Sequence, residues 1–337
     1  MCVILYTTIN GKKILAKNRD RIYHPNIEII HEIIDGIEVI YLMDKKTGWI
    51  EGMNEDGLAL LNATLNMKDS NSKSFINTRK NVLKKKKNKI FNALKNNNKK
   101  NIFYNLIKKS EDPCFVLEGN TLVHYNNDIY HIENNIDNKF NIRNIKKSVV
   151  LTNHSNYLPN LGYTKGKKGL SSYLRQKLVE MKLKKKHCEL KNNNEIYNYL
   201  INDVLNIYSP NIDPRLQPYR DEKLVKKIFP NLEKNTVIIY TTGQILCNIT
   251  DKEFVYYYDK NNSEKVKYIN KLPTSYVPKI RVIIEETEKN LKPQYIIPER
   301  NLKNIYKKFN FKNDFKTRKH KNKFKHTQNK LTKKNKK

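Results

Sequence analysis

The sequence has no run near the ~18 consecutive apolar residues that a membrane-spanning helix needs. It opens without the charged, apolar and small-residue blocks of a secretory signal. Both absences set the expectation of a soluble, cytoplasmic protein. Cysteine is scarce. Cys2, Cys114, Cys188 and Cys247 lie far apart and form no C-x-x-C pair, which argues against a zinc site or a disulfide framework. The histidines His24, His31, His124, His131 and His154 are too scattered for an H-x-x-x-H metal spacing. No phosphate-cradling loop is present, because Gly162, Gly166 and Gly169 lack both the spacing and a preceding strand. Acid is the other shortage: 33 Asp and Glu face 66 Lys and Arg, a formal net charge of +33.

That excess invites a nucleic-acid or anionic-membrane reading, since clustered cations release counterions from phosphate. Lys and Asn abound in every segment, however, as under AT-rich coding, so basicity alone assigns no function. Its densest stretch is residues 301–337, with fifteen Lys and Arg against the single acid Asp314. There the hydrophobic pattern fails. A folded domain over residues 2–300 is expected, followed by a disordered basic tail in weak contact with nucleic acid or an anionic surface. The folded part has ample core material, with 21 Tyr, 11 Phe and 38% hydrophobic residues overall. Oligomeric state is left open, and a homo-oligomer is compatible with the sequence.

Residues 2–8 read as a strand, Asn10-Gly11 as a hairpin turn and 13–16 as the returning strand, because an N-G pair between β-rich runs is a strong hairpin signal. Further strands are predicted at 27–34, 37–42 and 58–65. Apolar spacings of three, four and seven predict two amphipathic helices within 79–109, joined at 96–100. Strands resume at 114–118, 121–125, 129–133 and 148–152. The loop 162–169 leads to helices at 171–185, with Ser171 or Ser172 as cap, and at 194–208. After the Pro-rich loop 210–218, strands return at 236–241, 245–249 and 254–258. The run of 84–87 lysines belongs to a solvated helix face. Strands and helix pairs in this order suit an α+β sandwich.

Cys2 follows Met1 directly, and a residue this small lets an aminopeptidase remove the methionine. The new N-terminus then carries a thiol and an α-amine of ordinary pKa near 7.7–8.0, a nucleophile and a base in one residue. The returning strand runs into Lys17-Asn18-Arg19-Asp20, and antiparallel pairing brings that end back beside Cys2. Asp20 is placed to hold the α-amine, and Lys17 or Arg19 to stabilise the thiolate or bind a substrate carboxylate.

The residues 52–65, GMNEDGLALLNATL, complete a pattern. Met1-Cys2, the hairpin, K-N-x-D and G-M-N-E-x-G-L resemble the N-terminal-nucleophile hydrolases of the choloylglycine hydrolase and penicillin V acylase type, and the related acyl-coenzyme A:6-aminopenicillanic acid acyltransferases. The likeness continues in Leu151-Thr152-Asn153-His154, in Ser171-Ser172-x-x-Arg175 and in TTGQILCNITDKEFVYYY, covering about residues 2–260. It implies a four-layer αββα sandwich and a small-molecule acyl amide as substrate. Cys2 is implied as nucleophile attacking a linear, non-peptide amide carbonyl, and its α-amine as general base and acid. Asp20 is implied to orient that amine, and Asn153, with Asn62 or Thr64, to stabilise the oxyanion. Loss of one such donor costs roughly 10²–10³ in rate. Arg175 is implied to buttress the pocket, with Ser172 in a competing register, and His154 is a candidate pocket residue. Water or an amine would resolve the acyl-enzyme, and no cofactor or metal is needed.

Departures limit what is inherited. Bile-salt-acting members have arginine where Lys17 stands, and lysine cannot reproduce a guanidinium fork. Arg19, displaced from that place, is expected to face the other side of the strand. Asn62 and Asn66 are out of register with the family asparagine, leaving Thr64 aligned. A second resemblance is to proteins named for an Asn-Arg-Asp-Glu motif: Asn18-Arg19-Asp20 is followed here by Arg21, and Thr47-Gly48-Trp49 echoes their Gly-Thr-Trp. The rival from another class is a basic nucleic-acid-binding protein on the same fold.

Overall fold

A computed structural model of the chain describes residues 2–21, 25–64, 89–107, 119–134, 139–158, 170–184, 189–207, 213, 216–221, 224–225, 227, 239–260, 264–271 and 280–284. The chain divides into a unit of Met1–Ile297 and a unit of Pro298–Lys337. The tail expected at 301–337 lies outside the described residues, as do 79–88, 114–118 and 162–169 and much of 210–218.

The N-terminal hairpin pairs β1 (Cys2–Ile9) with β2 (Lys12–Arg21). Asn10 and Gly11 both take positive φ, 48° and 77°, the left-handed pair that a two-residue hairpin turn requires. The strands β3 (Ile27–Ile34), β4 (Ile37–Asp44), β5 (Trp49–Asn54) and β6 (Ala59–Ala63) follow. Next come the helices α1 (Lys89–Leu94) and α2 (Lys99–Ile107). They are followed by β7 (Gly119–Tyr125), β8 (Asp128–Asn134), β9 (Phe140–Ile145) and β10 (Val149–Leu151). Helix α3 (Leu170–Leu183) and helix α4 (Asn193–Asn198) come next, α4 running on into wider π-helical turns over Tyr199–Leu205. The last strands are β11 (Tyr240–Asn248), β12 (Glu253–Lys260), β13 (Glu264–Lys271) and β14 (Ile280–Ile284).

These strands make two antiparallel sheets. One has the order β10-β1-β2-β11-β12-β13, the other β14-β3-β4-β5-β6-β7-β8-β9. Alternation along each strand sends every second side chain to one face, so Ile4, Leu15, Ile245 and Phe254 of the first sheet meet Ile29, Leu42, Met53, Leu61 and Leu122 of the second in a buried core. The other face of the second sheet, with Val39, Tyr41, Leu60 and Val123, is covered by Ile90, Leu94, Ile102 and Leu106 of α1 and α2. Helix α3 packs on β1 and β10, and the π-helical turns pack on β2. Asn18 Nδ2 ties β2 to that helical layer through the carbonyls of Leu205 and Pro218, at 2.8 and 2.9 Å. The architecture is α+β, with helix, sheet, sheet and helix in successive layers. Among the described residues, no helix is long and apolar enough to cross a membrane.

Two sequence expectations change. The strands predicted at 236–241 and 245–249 are joined within the described residues: β11 runs unbroken through Gly243, whose bare Cα faces the Tyr256 ring. No strand was expected between 42 and 58, where β5 lies. Only Gly57 turns, with φ 80°. Gly52 lies within β5, where an added Cβ would come 2.6 Å from Tyr41 Cβ and nearer still to the Ile40 carbonyl. Because the obstruction is backbone, Gly52→Ala is expected to lose about 1–3 kcal/mol of stability, measured by urea unfolding.

Candidate active site

The hairpin register places Cys2 opposite Arg19, so Cys2 and the alternate residues Lys17, Arg19 and Arg21 share the face that looks toward the second sheet. The expectation that Arg19 faces away from Lys17 is therefore corrected. The two are separated by two residues, one full pleat period, and both side chains reach Glu51. Burying this much positive charge requires counter-charge. Lys17 Nζ donates to Glu51 Oε1 and, at 2.5 Å, to the Asn62 carbonyl. Arg19 lies 3.5 Å from Glu51 Oε2 and 3.7 Å from Asp44 Oδ2, with all of these side chains inaccessible to solvent. Glu51 also accepts from the Asn62 backbone N–H at 3.0 Å. Arg21, partly exposed at the strand end, brings Nη1 to 3.5 Å from Cys2 Sγ and donates to the Asp20 carbonyl at 2.9 Å.

The opposite face of β2 carries Asp20. Its Oδ1 accepts from Thr241 Oγ1 at 2.8 Å, and its Oδ2 lies 3.7 Å from both Arg175 and Arg220. A β-bulge in β11 creates this contact. The register with β2 slips between Thr241 and Gly243, so Thr241 meets Asp20, Thr242 Oγ1 donates to the Arg19 carbonyl, and Gly243 stands across from Arg19. Bulges re-aim side chains in this way.

Helix α3 connects the two faces. The Arg175 guanidinium donates from Nη1 to the Cys2 carbonyl and from Nη2 to Asn153 Oδ1, both at 3.0 Å, while its Nε donates to the Ser171 carbonyl one turn earlier. Asn153 Oδ1 also accepts from the Cys2 backbone nitrogen at 2.8 Å. Asn153 Nδ2 donates to the Thr64 carbonyl at 2.5 Å, and the Asn153 N–H donates to Ser172 Oγ at 2.8 Å. Ser172 and Arg175 therefore do not compete: one holds the Asn153 backbone, the other its side chain. Asn120 Nδ2 donates to the carbonyls of Thr152 and His154, which flank Asn153, and Glu133 accepts the N–H groups of Asn156, Tyr157 and Leu158. The loop carrying Asn153 is clamped on both sides.

Electrostatics separate the two described cysteines, both free and both buried. With Met1 in place, burial pushes the Cys2 thiol up, but Lys17, the Met1 ammonium and Arg21 outweigh both burial and the opposing Asp20, leaving it at about 7 against an ordinary 9.0. Burial pushes Cys247 far up, with Glu51 adding to the rise. Burial also brings His154 down to about 3, helped by Arg175, so its ring, stacked 3.8 Å from that of Tyr173, is neutral.

The structure thus gathers Cys2, Lys17, Arg19, Asp20, Asn153 and Arg175 around the start of β1. Asn62 and Thr64 meet this group through their backbone carbonyls, which accept from Lys17 and Asn153; the Asn62 side-chain amide donates to Thr121 Oγ1 at 2.9 Å. Glu51, Asp44, Arg21, Arg220, Thr241, Asn120 and Glu133 were not foreseen. The one available signal was the K-x-R-x-R alternation at 17–21, which calls for buried acids on a facing strand. Among the described residues, no group of three or more His, Cys, Asp or Glu is placed to hold a metal ion.

No protein-family model and no curated protein matches the sequence. Among solved structures, the chain is similar to a mutant conjugated bile acid hydrolase from Clostridium perfringens, with 13% identity and a TM-score of 0.46 over 88% of this chain and 100% of that one. A second variant of that hydrolase gives 11% and 0.44 over the same shares. Penicillin V acylase from Agrobacterium tumefaciens gives 12% and 0.44 over 81% and 86%.

Glu51 provides a test of the charge network. Burial raises its carboxyl pKa, but the Lys17 and Arg19 charges and the hydrogen bonds from Lys17 and Asn62 hold it below the ordinary 4.5. An acid whose folded pKa is depressed adds stability above its unfolded pKa, and that stability is lost as pH falls through the folded value. Glu51→Gln strands buried cations and is expected to cost about 3–5 kcal/mol at neutral pH. It should also flatten the loss of stability below pH 4.5, both read by urea unfolding across pH.

Proposed function

We propose that the chain is an N-terminal-nucleophile amidohydrolase, or the corresponding acyltransferase, acting on a linear amide through an acyl-enzyme on Cys2. The observation that carries this reading is the Cys2 backbone nitrogen held by Asn153 Oδ1, beside a thiol that Lys17 and Arg21 pull down against its burial. Removal of Met1 turns that nitrogen into an α-amine with a ready acceptor. The amine takes the thiol proton, and the sulfur electron pair forms a C–S bond to the amide carbon, moving charge to the carbonyl oxygen. Returning the proton to the amide nitrogen breaks the C–N bond and releases the amine. Water, or a second amine, then attacks the thioester, the α-amine takes its proton, and C–S cleavage restores the thiolate.

The roles follow from position. Arg175 fixes the Cys2 carbonyl and the Asn153 oxygen together, so nucleophile and amine are oriented by one rigid fork. An amide nitrogen carries two hydrogens. Asn153 Nδ2 spends one on Thr64, and we assign the other to the oxyanion. Asp20 acts behind Arg175, as the counter-charge that keeps the guanidinium in place. Lys17 and Arg21 set the potential at the sulfur.

Intact-mass measurement is expected to find the chain short by one methionine; retention of Met1 contradicts the base assignment. In a screen of N-acyl amino acids, penicillin V and conjugated bile salts for released amine, Cys2→Ala is expected to abolish turnover, and Asn153→Ala to lower it roughly 10²–10³-fold. Cys247→Ala should retain turnover. Equal rates for wild type and Cys2→Ala refute the nucleophile.

A further inference from the structure

We propose that Asn120 is a positioning residue for the reaction at Cys2: its side-chain amide, reaching across from the second sheet, holds the backbone on both sides of Asn153 so that the Asn153 amide points at the oxyanion. The proposal rests on the assignment of Asn153 to the oxyanion made above. Asn153 lies just past β10, which ends at Leu151, so that strand does not carry it. Asn120 supplies the missing support. Its Nδ2 has two hydrogens and gives one to the Thr152 carbonyl at 2.7 Å and the other to the His154 carbonyl at 2.9 Å. The peptide plane between Thr152 and Asn153 is then held at both ends, by Asn120 at its oxygen and by Ser172 Oγ at its nitrogen, 2.8 Å away.

Asn120 is itself locked. Its Oδ1 can only accept, so the His131 ring 2.8 Å away donates from Nε2, which fixes the end of the amide that faces the carbonyls. Burial, helped by Arg143, brings His131 down to about 3, so the ring is neutral and this bond persists at any working pH. The same strand end supports the other arm of the site. Gly119 packs so closely against residues 62–64 that an added Cβ would come 2.5 Å from the Ala63 carbonyl and 2.9 Å from Thr64 Cα. On the other side of Asn120, Thr121 Oγ1 accepts from the Asn62 amide at 2.9 Å. Thr64 is the residue whose carbonyl takes the first hydrogen of Asn153 Nδ2. Residues 119–121 therefore set both the acceptor of that hydrogen and the backbone from which the Asn153 amide extends, and the direction of the second hydrogen follows. On the neighbouring strand β8, Glu133 secures the far end of the loop by accepting the N–H groups of Asn156 and Leu158, both at 2.7 Å. Such support matters because a misplacement of about 1 Å at a reacting centre costs roughly 10² in rate.

Two reactions of the Cys2 sulfur, compared in the full chain with Met1 removed, test the proposal. Acetylation by 4-nitrophenyl acetate forms a C–S bond at the ester carbonyl, passes through a tetrahedral oxyanion and expels 4-nitrophenolate. Alkylation by iodoacetamide forms its C–S bond with loss of iodide and develops no oxyanion. Each rate is read by mass spectrometry as mass added to the N-terminal peptide, with the Cys2→Ala chain as the blank. Asn120→Ala is expected to lower acetylation by about 10- to 100-fold while alkylation stays within about twofold. In an Asn153→Ala background the same substitution should change the ratio of the two rates by less than about twofold, because Asn120 acts through Asn153. Asn120→Ser, which keeps one donor, serves if the alanine variant fails to fold and is read by the same ratio. A merely structural role would slow both reactions together. An unchanged ratio, a loss that persists in full without Asn153, or a wild-type sulfur that is alkylated but not acetylated overturns the proposal. The amidohydrolase reading fails on a different result, release of amine by Cys2→Ala.

Discussion

The fold turns on a strand that carries cations into the space between two sheets. Lys17 and Arg19 would be prohibitively costly there without acids, so Glu51 from β5 and Asp44 from β4 must face them. That requirement locks the register of the second sheet against the first at one end of the core. It also keeps Cys2, the first residue of β1, in a strongly positive field. Stability and reactivity draw on the same charges, and the neutralised pairs leave a graded potential that favours a thiolate at position 2 and disfavours one at Cys247.

Strand β2 works on both faces. Its odd-numbered residues face the sulfur, and its even-numbered ones, Asn18 and Asp20, face the helices. Through Asp20 and Arg175 the helical layer reaches the backbone of Cys2 and the side chain of Asn153. Through Asn18 it reaches the π-helical turns and the segment at Pro218. The nucleophile is thus held at its nitrogen, its carbonyl and its sulfur by three different elements, the geometry that orientation-dependent chemistry demands.

Much of this was legible in the sequence because it is local. Asn10-Gly11 defined the hairpin, and the hairpin alone put 17–20 beside Cys2. The Leu151-Thr152-Asn153 and Ser171-Ser172-x-x-Arg175 segments were found through a resemblance, and they do converge on Cys2. What escaped was long-range or depended on phase. Glu51 was lost with β5, a strand interrupted by Gly52, whose bare Cα lets the backbone lie tight against Tyr41. Thr241 was lost because a bulge, which no periodicity reports, aims it at Asp20. Arg19 was assigned the wrong face although it stands two residues from Lys17, a full pleat period that puts both on one face. The +33 of the chain offered no guide, since the cations that matter here are the buried ones.

The most direct test is to trap the intermediate. The full chain would be mixed with an N-acyl amine that it turns over, quenched in acid within one turnover, digested and weighed. The expected result is an acyl mass on a peptide that begins at Cys2, present when the quench falls within one turnover and absent when the protein is left at neutral pH until the substrate is consumed before the quench. Turnover with no acyl mass on that peptide, or an acylated peptide that still begins with Met1, would contradict the account.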